Sequence, residues 1–109
     1  MTRILVVDDD CVVRELLEAT LGFDRYRVSI AEDGEAALAA FERPGRAPDL
    51  VVLDLDLPGT SGLAVLRRLR GLQHRVPVVV LTGSGREREA ELRAAGASAY
   101  LLKPFSPLG

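Results

Sequence analysis

Short apolar runs recur at regular intervals along the chain: ILVV at 4–7, LVVL at 50–53, VPVVVL at 76–81 and AYLL at 99–102, with the half-polar YRVSIA at 26–31 as a fifth. Stretches of helical period separate them. Runs this short, rich in Val and Leu and alternating with helices, are the βαβ rhythm of a parallel sheet. Unbroken apolarity at 4–7, 50–53 and 76–81 predicts strands covered on both faces, whereas YRVSI alternates as an edge strand does. With 109 residues and 48% hydrophobic content, the chain is the size of one domain with one core.

The intervening stretches predict four helices. The first follows Asp8, Asp9 and Asp10, with Val13, Leu16, Leu17, Thr20 and Leu21 on one face and Gly22 as its stop. A second spans about 34–43 and buries Ala37, Leu38 and Phe41. The third begins after Thr60 and Ser61, buries Leu63, Leu66 and Leu69, and ends near Gly71. The fourth, GREREAELRAAG at 85–96, offers mainly Ala90, Leu92, Ala94 and Ala95 to the core. That face is thin, so this helix is expected to be the least firmly docked.

Charge and composition exclude several roles. Fourteen Lys and Arg against 16 Asp and Glu give a net charge of -2 with no block of like charge, so nothing draws the domain to nucleic acid or anionic membrane. No apolar stretch approaches the length of a membrane span, and MTRILVVDDD has no signal-peptide pattern. The chain therefore reads as cytoplasmic. Cys11 has no partner for an internal disulfide and reads as a small residue at a helix start. His74, in GLQHRVP, reads as a solvated loop residue.

Chemistry-bearing residues follow the apolar runs. Asp8, Asp9 and Asp10 come after the first, Asp54 after LVVL, Thr82 after VPVVVL and Lys103 after AYLL. The carboxyl ends of strands are where open α/β sheets bind ligands. Helix capping accounts for any one acid, but not for a lysine after AYLL as well. Clustered carboxylates repel, and a hard divalent cation with oxygen ligands relieves them, which suits Mg2+. A carboxylate is already ionised at neutral pH and serves as a nucleophile without a histidine base, while the metal, Lys103 and the Thr82 hydroxyl can meet the charge of an incoming phosphoryl group.

Taken together, ILVVDDD, DLVVLDLDLPGTSGL, VPVVVLTGSG and AGASAYLLKPF resemble the successive blocks of a two-component response regulator receiver domain, over residues 3 to about 107. The resemblance implies a flavodoxin-like, doubly wound five-stranded parallel sheet of order 2-1-3-4-5 and one receiver domain over 1–109. It implies a signalling switch that accepts a phosphoryl group on Asp54 from a histidine kinase or phosphotransfer protein with Mg2+. Such a domain catalyses only its own phosphotransfer and autodephosphorylation. Asp8 and Asp9 would hold the metal with Asp54 and the backbone carbonyl of Asp56. Thr82 would bond the phosphoryl group, Lys103 would pair with it, and Pro104 would follow a cis peptide. Tyr100 matches the aromatic switch position, and the surface of the fourth helix and fifth strand would change its partner affinity. The Asp56 side chain, with Ser84, is a candidate for tuning the lifetime of the active state; otherwise Asp56 is a solvated rim residue.

Only PFSPLG follows Lys103, so the family's fifth helix is expected to be missing or truncated, with Ser106-Pro107 opening it, and any output domain would lie outside the chain. Apolar surface on one sheet face would then lower stability or favour association, including a homodimer. Two other readings are weaker. DLDLPGT is similar to the D-x-D motif of haloacid-dehalogenase-like phosphatases, but Pro58 stands where those enzymes carry Thr or Val, and there is no room for their cap. A phosphorylation-independent binding module on the same fold is opposed by the presence of Asp8, Asp9, Asp54, Thr82 and Lys103 together.

Overall fold

The computed structural model describes residues 2–8, 26–43, 45, 47–57, 61–83 and 88–102. Five strands, β1 (Thr2–Val7), β2 (Tyr26–Ala31), β3 (Leu50–Asp54), β4 (Val78–Thr82) and β5 (Ala99–Leu102), alternate with helices α1 (Gly34–Ala40), α2 (Gly62–Gly71) and α3 (Glu89–Ala94). All four strand pairings are parallel and the order is β2-β1-β3-β4-β5. This is the expected flavodoxin-like α/β sheet. The expected first helix with Asp10, Cys11 and Gly22, the Lys103-Pro104 peptide and the Ser106-Pro107 helix start lie outside the described residues.

The strands sort by burial as their patterns predict. β1 and β3 are buried from their second or third residue onward, and β4 is buried except at Val79, whereas β2 alternates on the edge. Side chains alternate between the two sheet faces. On one face Leu5, Val7, Val51, Leu53, Val78 and Val80 join Ala37 of α1, Leu63, Val65, Leu66 and Leu69 of α2, and Leu92 of α3 in the main core. On the other, Ile4, Val6, Val52 and Leu81 form a second cluster. Those four residues are buried, while Leu101, the register partner of Leu81 on edge strand β5, is 57% exposed.

Local chemistry sets the helix ends. Asp33 caps α1, its Oδ1 accepting from the Ala36 N–H at 2.8 Å. The helix stops at Ala40 with Phe41 as cap, short of the expected Arg43, and Leu38 and Phe41 are half-buried beside a fully buried Ala37. Ser61 caps α2 through the Ala64 N–H at 3.2 Å. Leu63, Leu66 and Leu69 are buried as expected, and Val65 joins them.

α2 ends at Gly71, as expected. Gln73 takes the left-handed conformation at φ 65°, while the Gln73 N–H donates to Arg70 O and the His74 N–H to Leu69 O. This is a Schellman closure without glycine.

α3 closes in the same way, with Gly96 at φ 106° and its N–H and that of Ala97 donating to Arg93 O and Leu92 O. Contrary to expectation, Ala90 and Ala94 face solvent, Ala95 is half-buried, and Leu92 is the buried residue of the helix. At about 100° per residue, Leu92 lies on the opposite side of the helix from Ala90 and Ala94.

Arg70 ties these elements together. Its Nε and Nη2 donate to Gly96 O at 3.2 and 2.7 Å, and its Nη1 to His74 O and Val76 O at 2.7 and 2.8 Å. One guanidinium thus satisfies three carbonyls from two turns. His74 also departs from expectation: it is half-buried, its ring 4.7 Å from that of Phe41 and tilted by 33°. The Schellman turn at the end of α2 carries it back over the end of α1.

Candidate functional site

β1, β3 and β4 lie side by side, and a polar residue closes each: Asp8 directly after β1, Asp54 at the end of β3, Thr82 at the end of β4. Parallel pairing puts all three at one edge of the sheet. They are the buried polar or charged side chains among the described residues, each at 0% exposure. Burying a carboxylate is costly unless partners meet its charge. Two on neighbouring strands are therefore not a by-product of packing.

The backbone holds this edge firmly. The Asp8 N–H donates to Ala31 O at 3.1 Å, extending the β1–β2 ladder past Val7, and the Leu55 N–H donates to Leu81 O at 2.9 Å, extending β3–β4 past Asp54. Leu55 and Leu57 are buried and anchor the turn, leaving Asp56 exposed between them. The Asp56 N–H donates to Asp54 Oδ1 at 3.0 Å. Asp56 therefore reaches the proposed nucleophile through its main chain, while its side chain stands at the solvent rim.

Gly62 is a site residue that sequence reasoning missed. Its N–H donates to Leu55 O at 3.0 Å. A Cβ there would lie 2.6 Å from Leu55 Cα and 3.0 Å from the Asp54 carbonyl carbon, and would strike the Asp54 carbonyl oxygen as well. Only glycine lets the first turn of α2 press this closely on the end of β3. The available signal was a glycine placed directly after a Ser cap, where no turn calls for one.

Tyr100 pairs with Val80 across β4–β5, two positions before Thr82 on the adjacent strand, and packs half-buried against the main core. Asp9, Ser84 and Lys103 lie outside the described residues. Asp8 and Asp54 supply two buried carboxylates, and among the described residues no group of three His, Cys, Asp or Glu side chains is placed to hold a metal ion.

The family model for the response regulator receiver domain matches residues 4–108. The chain belongs to that family. Among its relatives, the response regulator MprA of Mycobacterium tuberculosis is 49% identical over 108 residues, covering 95% of this chain and 45% of that protein. The chain thus spans less than half the length of the curated relatives it matches. The Francisella response regulator 1452 receiver domain superposes with a TM-score of 0.87 at 28% identity, covering 97% of this receiver domain and 87% of that chain. The Thermotoga maritima response regulator TrrA, solved in complex with Mg2+ and BeF, superposes with a TM-score of 0.83 at 38% identity over 97% of this chain and 90% of its own. This receiver domain therefore has the family's fold as well as its sequence blocks. No described helix is long and apolar enough to cross a membrane.

Proposed function

We propose that residues 1–109 act as one receiver domain that accepts a phosphoryl group on Asp54 from a phosphohistidine of a sensor kinase or phosphotransfer protein. The convergence of the buried Asp8, Asp54 and Thr82 on one sheet edge carries this reading. An Asp54 carboxylate oxygen attacks phosphorus, the P–N bond breaks, and the imidazole keeps the electron pair and takes a proton. An acyl phosphate on Asp54 results.

The donor set fits Mg2+: all oxygen, with two fully buried carboxylates on adjacent strands. Asp8, Asp9, Asp54 and the Asp56 backbone carbonyl would hold it. When bound it supplies positive charge against the phosphoryl oxygens. The Thr82 hydroxyl and Lys103 take up the remaining phosphoryl charge. Movement of Thr82 toward the group draws Tyr100 inward and shifts the α3–β5 surface between two populations with different partner affinity. Asp56, with Ser84, orients the water that later hydrolyses the acyl phosphate, which is the only other reaction the domain catalyses. In this reading the domain is cytoplasmic, is joined functionally to an output domain, and self-associates through β5.

Incubation with a small phosphodonor and Mg2+ tests the reading. Label is expected on the parent chain and none on Asp54→Asn. Thr82→Ala is expected to accept label while losing the phosphorylation-dependent change in partner binding. Once donor is removed, Asp56→Met is expected to lose label more slowly. Persistent labelling of Asp54→Asn would refute the site, and an unchanged decay in Asp56→Met would refute the role of that side chain.

A further inference from the structure

Along β1, β2 and α1 a cavity of about 520 Å³ opens. Arg3, in its wall, is five residues before Asp8, roughly 16 Å along an extended strand, while the cavity's other end reaches Ala31, whose carbonyl accepts from the Asp8 N–H at 3.1 Å. The short side chains of Ala36, Ala39 and Ala40 line it on the helix side, and Arg3, Arg27 and Arg43 supply its charge. No described lining residue is acidic.

The arrangement of the arginines is unfavourable by itself. Arg3 and Arg27 are direct register partners on β1 and β2, on the face that Leu5 and Ala31 turn to the main core. Like charges directly opposite in a sheet repel. Arg43, three residues past the end of α1, is a third arginine in the lining. Among the described residues no carboxylate pairs with any of the three. The nearby Asp49 is engaged elsewhere, its Oδ2 accepting from the Arg3 backbone N–H at 2.8 Å.

A concave space of ligand size, with three arginines and no acidic residue among its described lining residues, suits an anion that can accept several N–H donors at once. We propose that this cavity binds a small polyanion with adjacent phosphate or carboxylate groups, held by Arg3, Arg27 and Arg43. The bound anion removes the repulsion between Arg3 and Arg27 and fastens α1 to the sheet edge, an input separate from Asp54.

The test is titration of the chain with pyrophosphate and, separately, citrate, without divalent cation and at fixed ionic strength, followed by backbone amide NMR. Saturable shifts confined to Ser29, Ala36, Ala39 and Ala40 are expected with at least one probe, and which probe saturates assigns phosphate or carboxylate. Affinity is expected to fall about tenfold in Arg27→Gln and in Arg43→Gln, as loss of a charge-assisted pair predicts, and to hold in Arg67→Gln, which alters an exposed arginine of α2. The ligand-free Tm of Arg27→Gln is expected to rise, because the opposed charges are gone. Non-saturating shifts with both probes, or equal weakening by Arg67→Gln, would overturn the proposal.

Discussion

A methyl group at Gly62 would lie 2.6 Å from Leu55 Cα and 3.0 Å from the Asp54 carbonyl carbon, against backbone that cannot swing aside as a side chain can. Gly62→Ala must therefore push α2 away from β3 or bend the turn that carries Asp54 and Asp56. Overpacking of this kind costs about 1–3 kcal/mol. The expected result is a lower denaturation midpoint together with slower phosphodonor labelling of Asp54; a variant unchanged in both would show that the helix start relaxes freely. The same scale explains why two aspartates two positions apart stand in different surroundings. Asp54 is the last residue of a central strand and wholly buried, whereas Asp56 falls between the buried Leu55 and Leu57 and turns outward. Its main-chain N–H, held 3.0 Å from Asp54 Oδ1, is its structural contribution.

Among the described helices, α3 is the shortest. Leu92 is its buried residue, and its exposed ion pairs, Arg88–Glu91 and Arg93–Glu89, each at 3.0 Å, contribute about 0.2–0.5 kcal/mol apiece. α2, by contrast, buries Leu63, Val65, Leu66 and Leu69. What fixes the end of α3 is the Arg70 guanidinium on Gly96 O, and Gly96 has to be glycine twice over: its φ is 106°, and a Cβ would meet Arg70 Nε at 2.7 Å. Lysine keeps the charge at position 70 but cannot reproduce the fork. In Arg70→Lys, amide hydrogen exchange across 92–97 is expected to accelerate while that of 63–69 holds. Equal acceleration of both stretches would show that Arg70 supports the whole fold rather than this corner.

Among the described residues, the two most exposed large apolar side chains stand side by side on edge strand β5, Leu101 and Leu102 at 57% and 56%, ahead of Leu72 at 53% and Tyr26 at 40%. Leu101→Ser is expected to change stability little, since a residue that exposed contributes little burial, yet to reduce any concentration-dependent association seen by sedimentation. Association unaffected by this change would place the contact elsewhere. The strands, their covered or edge character and the polar residues at their carboxyl ends were readable from the sequence, because each depends on side-chain alternation and apolarity within a few residues. The start of α2 directly after Ser61 was readable for the same reason. The left-handed Gln73 that closes the turn after α2, the stacking of His74 on Phe41 and the outward turn of Ala90 and Ala94 were not, since each depends on where a neighbouring element arrives. So does the gathering of Arg3, Arg27 and Arg43 around one cavity, which joins two strands in register to the end of a helix. The sequence by itself determined which residues could do chemistry and at which edge of a parallel sheet they would stand. Only the tertiary structure decided which backbone atoms press against that edge and force glycine at position 62, because close approach is a property of two segments and is written in neither alone.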